Sequence, residues 1–135
     1  MGIISIGFDE SKGPYIQSAF NKELGMNENE KYIADHFISV VIENESSANI
    51  SIERRSDNYL SLCSGRYDFL RFKYSDRARW LSIDAASAKI EEDDPRFTAQ
   101  KNKRTRHWKS NIHDLTEINN FDELVLAAYI NHELI

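Results

Sequence analysis

The feature that most restricts the fold is a change of hydrophobic period near residue 48. From Ala48 to Ile83 apolar and polar residues alternate, and the alternation is broken at Ser56-Asp57, Ser64-Gly65 and Ser75-Asp76. Period two sends successive side chains to opposite faces of a strand, and short Ser, Asp and Gly breaks suit tight hairpin turns. The stretch therefore reads as a four-stranded antiparallel meander. If each break closes a two-residue turn, Arg71 faces Trp80, Leu70 faces Leu81, Leu62 faces Tyr67 and Tyr59 faces Leu70. That register sorts Ile50, Ile52, Tyr59, Cys63, Leu70, Phe72, Leu81 and Ile83 onto one face, the predicted core. Glu53, Leu60, Leu62, Tyr67, Phe69, Arg71, Lys73 and Trp80 fall on the other.

The flanking segments carry helical signals and two further strands. Ile3 to Phe8 reads as a short strand. Pro14 suits a first helical turn, Ile16, Ala19, Phe20 and Leu24 share a helical stripe and Gly25 fits a C-terminal cap, which predicts a helix over 14–24. Asn27 followed by Glu30 has capping-box spacing, and Ile33, Phe37, Val40 and Val41 continue at helical intervals to about Glu43. The β-branched run Ile38 to Ile42 also fits a strand, and helix is the preferred reading. Residues 84–106 read as a long, partly helical connection. His107 to Ile112 fits a fifth strand, with His107, Lys109 and Asn111 on one face and Trp108, Ser110 and Ile112 on the other. A last helix is predicted with Asn120 as its cap, Glu123 three residues on, and Phe121, Leu124, Val125 and Ala128 as its apolar stripe. The sum is an α+β fold: an antiparallel β-meander of four to five strands packed with two N-terminal helices and one C-terminal helix, in a single domain over 1–135.

Composition supports a packed domain and narrows its setting. Apolar residues make up 41% of the 135 and charged residues 29%, far from the balance of disordered chains. The single cysteine, Cys63, excludes an intrachain disulfide, and no charged stretch, apolar run and cleavage site open the chain, so a reducing, cytoplasmic location is expected. The apolar runs are far shorter than the ~20 residues of a membrane helix, and no membrane partner is expected.

Charge is distributed unevenly. Residues 1–65 hold five Lys/Arg against ten Asp/Glu, residues 66–110 twelve against seven, and residues 111–135 none against five. The net charges are therefore −5, +5 and −5. The base is concentrated in Lys101, Lys103, Arg104, Arg106, His107 and Lys109, with Trp108 among them. Rings and cations together suit nucleic acid, because bases stack on aromatic faces while Arg and Lys meet phosphates. Tyr67, Phe69, Arg71, Lys73 and Trp80 on one sheet face offer the same combination. A bland reading stands beside it: a solvated basic loop, and a sheet face covered by a helix as a second core, with Arg71 stacked on Trp80 and Leu60 and Leu62 buried there.

Motifs for chemistry are sparse. The five glycines, at 2, 7, 13, 25 and 65, form neither a dinucleotide fingerprint nor a phosphate loop. His107, His113, Asp114 and His132 match no zinc-ligand spacing, and no metal or cofactor is expected. Cys63 lies on a predicted core face without a paired base, so it reads as structural and inert. The carboxylates Glu91 to Asp94 precede Pro95 in a predicted loop rather than standing on a strand beside a lysine, as a nuclease site would need.

Asn102-Lys103, His107-Trp108-Lys109, Asp122-Glu-Leu-Val and Ala128-Tyr129 resemble the C-terminal end of the small YjbR/MmcQ-type domains. The resemblance covers about 30 residues, 101–130; Ala127-Ala128 stand where that family has a serine before the tyrosine, and the insert between Asn102 and His107 is longer. It implies a sheet-and-helix surface for DNA or protein, with Lys103, His107, Trp108 and Lys109 at its edge.

Three functional expectations follow. The first is a non-enzymatic binding protein that engages nucleic acid, or a nucleic-acid-bound protein, through the basic, aromatic-containing surface. The second is a small inhibitor of a host defence nuclease of the mobile-element type, whose acidic ends mimic nucleic acid. The third is a small hydrolase or nuclease whose site the sequence does not reveal.

Overall fold

Turn chemistry and alternation build one sheet. A computed structural model describes residues 3–9, 13–18, 25–45, 48–55, 58–97 and 106–131. Strands β3 (Ser51–Arg54), β4 (Leu60–Ser64), β5 (Tyr67–Tyr74), β6 (Arg79–Asp84) and β7 (His107–Asn111) form a five-strand antiparallel meander. A hairpin of β1 (Ile3–Asp9) and β2 (Gly13–Ser18) extends it through β1 to seven strands in the order β2-β1-β3-β4-β5-β6-β7. The α+β class and its antiparallel meander are as the sequence predicts. The helix predicted over 14–24 is not: Gly13–Ser18 pairs with β1 as an edge strand, the kind of strand that tolerates a proline. Residues 19–24 lie outside the described residues.

Register decides which residues reach the core, and here the two-residue turns fail instructively. Gly65 takes φ +62°, the left-handed conformation such turns demand, so Gly65-Arg66 closes the β4–β5 hairpin and Ser64 pairs with Tyr67. Beyond it Cys63 pairs with Asp68 but Leu62 with Leu70, leaving Phe69 as the extra residue of a bulge. The turn displaced by one residue shifts the register by two, and the bulge adds one. The odd total turns β4 over, bringing Leu60 and Leu62 into the core and sending Tyr59 and Cys63 to the opposite face.

Between β3 and β4, Arg54 stands opposite Leu60 rather than Tyr59, a second odd shift. The two cancel, so Ile52 stays on the face of Leu70 as predicted. The β5–β6 loop spans residues 75–78, with Phe72 opposite Leu81 and Lys73 opposite Trp80. This even shift changes partners, not faces.

Helices α1 (Glu28–Asn44) and α3 (Asp122–Asn131) cover the core face, and the single turn α2 (Ala85–Ala88) packs beside α3. Ile52, Leu60, Leu62, Leu70, Phe72, Leu81 and Ile83 share one cluster with Ile33, Phe37, Ile38 and Val41 of α1 and Leu124, Val125 and Ala128 of α3. Each fully buried Leu, Ile or Phe contributes roughly 1.5–3 kcal/mol. Residues 38–42 are helical: the capping box at Asn27 and Glu30 starts α1, and burial of Ile38, Val41 and Ile42 outweighs the weak helix preference of β-branched side chains. The cap predicted at Asn120 moves upstream to Asp114, whose box with Glu117 opens a 3-10 stretch, Leu115–Phe121, that runs straight into α3. His36 on α1 joins Asp122 at the start of α3 at 2.6 Å. In the connection before β7, Phe97 is buried against Trp108 and Phe121, and Asp94 grips Arg96.

Candidate functional site

The face opposite the helices is built from the alternate residues of the same strands. Glu53 of β3, Ser61 and Cys63 of β4, Asp68, Arg71 and Lys73 of β5, Trp80 and Ser82 of β6, and His107 and Lys109 of β7 point there, joined by Tyr59 just before β4. None of them belongs to the core cluster, and among the described residues no helix lies on this face. Its floor is small and buried: Ser61, Cys63 and Ser82 are 0–3% exposed beneath longer neighbours. Arg55 crosses β4, donating from Nε to Ser61 Oγ at 3.1 Å and from Nη2 to Cys63 Sγ at 3.7 Å. His107 Nδ1 lies 3.3 Å from Ser82 Oγ.

Above that floor, rings and cations form a ladder across the strands. The Arg71 guanidinium sits 5.9 Å over the Tyr59 ring, Tyr59 and Trp80 have centroids 5.6 Å apart, and Lys109 Nζ lies 4.2 Å over Trp80. Arg71 thus stacks on Tyr59, and Trp80 takes Lys109 in place of the predicted Arg71. The face holds Arg55, Arg71, Lys73 and Lys109 against Glu53 and Asp68, a net excess of two cations. Asp68 reaches it through the bulge, since residues three apart in a regular strand point to opposite faces. It bonds Arg71, and its backbone oxygen lies 3.0 Å from His107 Nε2. Burial works to raise the Asp68 carboxyl, but bonds from His107 and Arg71 more than offset it and hold the group well below the usual carboxylate range.

The predicted site residues divide accordingly. Arg71, Lys73, Trp80, His107 and Lys109 come together on the open face. Tyr67 and Phe69 do not: the bulge turns both toward the helices, where Phe69 is fully buried edge-on to Tyr129 and Tyr67 packs on the core. Trp108 is buried opposite Ile83 on the core face. Lys101, Lys103 and Arg104 lie outside the described residues.

Arg106, although exposed, is tied to the fold by an ion pair. Its Nη2 donates to Asp84 Oδ2 at 2.6 Å, and Asp84 also accepts from the Tyr67 hydroxyl at 2.6 Å and caps α2 through Ala86 N and Ser87 N. Burial disfavours the Asp84 carboxylate, yet the bonds from Tyr67 and Arg106 keep it below its ordinary range; burial and the same carboxylate push the Tyr67 hydroxyl up. Tyr59, Arg55 and Asp68 are the contributors that sequence reasoning missed.

The titratable groups of this face are not arranged as a hydrolytic site. Ser82, His107 and Asp68 stand in the order of a hydrolytic triad, but Ser82 is 3% exposed and His107 Nε2 is 3.7 Å from the nearer carboxylate oxygen, so neither access nor alignment suits a nucleophile. Burial pushes the Cys63 thiol up to about 11, which leaves it protonated and inert at neutral pH. Among the described residues no three His, Cys, Asp or Glu side chains converge as metal ligands, and no helix is long and apolar enough to cross a membrane. No family model, curated protein or solved structure matches the chain.

Proposed function

We propose that the protein is a binding protein, without catalysis of its own, whose open sheet face engages nucleic acid. One observation carries this reading: a sheet face on which no helix lies among the described residues, and on which the half-buried rings of Tyr59 and Trp80 adjoin Arg71 and Lys109. Planar rings on a sheet give bases a surface to stack on, and Lys and Arg around them meet phosphates. Lys101, Lys103 and Arg104 precede Arg106 in the sequence and add cations to the same third of the chain. The resemblance of residues 101–130 to YjbR/MmcQ-type domains implies a contact surface for DNA or protein. Three of the five acidic residues after position 110 have structural duties, which weakens the reading of a nucleic-acid mimic. Asp114 and Glu117 cap the 3-10 stretch and Asp122 holds His36.

The test is fluorescence anisotropy of a labelled oligonucleotide over a range of salt concentrations. Lys73→Glu combined with Lys109→Glu should weaken binding at least tenfold at low salt, and the slope of log affinity against log salt should fall by about two phosphate contacts' worth. An unchanged affinity in the folded double variant would contradict the assignment.

A further inference from the structure

We infer that the open face reads single-stranded nucleic acid, with bases stacked on Tyr59 and Trp80 and phosphates met by Arg71 and Lys109. The inference rests on the nucleic-acid reading above and narrows it. Tyr59 and Trp80 are tilted by 53° with their centroids 5.6 Å apart, so they touch without stacking flat on one another. Lys109 instead lies on the Trp80 ring at 4.2 Å, and Arg71 stands 5.9 Å from the Tyr59 centroid, at the outer limit of a cation–π contact. A cation–π pair at a partly exposed site is weak, whereas a base stacked on an aromatic ring is held more strongly; Lys109 on release gains a phosphate, and Arg71, still bonded to Asp68 through Nε, offers its remaining N–H groups to another. An arriving strand therefore exchanges one weak contact at each ring for two stronger ones: a base on the ring and a phosphate on the cation.

A duplex cannot make that exchange, because its base faces are buried in its own stack and it offers the sheet only phosphates and groove edges. It would leave Tyr59 and Trp80 idle at the centre of the charged face. The ladder crosses neighbouring strands, from Tyr59 before β4 through Arg71 on β5 and Trp80 on β6 to Lys109 on β7. At ~4.8 Å per strand it spans about 14 Å, enough for a short stretch of extended strand. A protein partner fits less well: hot spots favour rings seated in desolvated apolar pockets, and this floor is Ser61, Cys63 and Ser82 under a net excess of cations.

The test compares a labelled oligo-dT strand of about 12 nucleotides, the oligo-rU strand of the same length and the dA·dT duplex, each titrated with the full chain by anisotropy. At least one single strand should bind about tenfold or more tighter than the duplex, and Trp80→Ala should remove about tenfold of the single-strand affinity while leaving duplex binding unchanged. Trp80→Leu keeps apolar bulk but lacks the flat ring and should behave as Trp80→Ala does; it decides the matter if the alanine variant does not fold. A duplex that binds as tightly as both strands, or a Trp80→Leu variant that binds single strands at full strength, overturns the inference while leaving the nucleic-acid reading in place. If no strand and no duplex binds, both fall.

Discussion

The two faces of the sheet are made by the same strands, residue by alternate residue, and they could hardly differ more. On one face Leu60, Leu62, Leu70, Phe72, Leu81 and Ile83 are fully buried beneath α1 and α3. On the other, Tyr59, Arg71, Lys73, Trp80 and Lys109 remain partly exposed over a floor of small residues. Which residue joins which face is set by register, and a one-residue difference in β4 would exchange Leu62 for Cys63. The contrast teaches that this sheet gathers its apolar side chains on one side and its cations and partly exposed rings on the other.

The sharpest way to break the comparison is by truncation on each side. Phe72→Ala should cost about 3–5 kcal/mol in urea denaturation, the range for a buried aromatic in a packed core, while Trp80→Ala should cost less than about 1 kcal/mol. Equal losses would make the outer face a second core. Next in size is Asp84→Ala, which removes the cap of α2 and strips the Tyr67 hydroxyl and Arg106 of their shared acceptor; a loss of about 2 kcal/mol is expected from the same denaturation curves.

The pH dependence sharpens the comparison from the other side. Asp68 on the open face and Asp84 at its edge both have depressed carboxyl pKa values in the folded protein. Their stabilisation is therefore fully present above the unfolded-state pKa, about 3.9, and is lost as pH falls through the folded values. Asp68→Asn should flatten the acid side of the stability–pH curve, and an unchanged slope would mean that its bonds to Arg71 and His107 contribute nothing. The smallest effect concerns Cys63: a thiol reagent at neutral pH should label the folded protein far more slowly than the urea-unfolded chain, since the group is 2% exposed and its pKa is pushed up to about 11.

Much of this was legible in the sequence. The antiparallel meander, the capping box of Asn27 and Glu30, the stripe Leu124, Val125 and Ala128, and the placement of Arg71, Lys73 and Trp80 on one face all follow from period and turn signals. The errors have a common physical origin in hairpin closure. A Ser64-Gly65 turn puts Gly65 in second place, whereas its positive φ serves the first. The bulge is written in Phe69-Leu70, two apolar residues in succession within an alternating strand, which is the signal that would have placed Tyr59, Asp68 and Cys63 correctly. Pro14 reads equally well as a helix start and as an edge-strand residue, and only the pairing with β1 decides between them. The ladder from Arg71 to Lys109 joins residues up to 50 positions apart, so no local pattern announces it.

The most direct test of two faces with two roles uses the protein's two tryptophans, one on each. In a titration with the oligo-dT or oligo-rU strand followed by NMR, the indole N–H signal of Trp80 should shift progressively and saturate, while that of Trp108, buried on the core face, should stay in place. A titration in which the Trp108 signal moves alone, or in which the strand binds and the Trp80 signal does not move, would contradict the account.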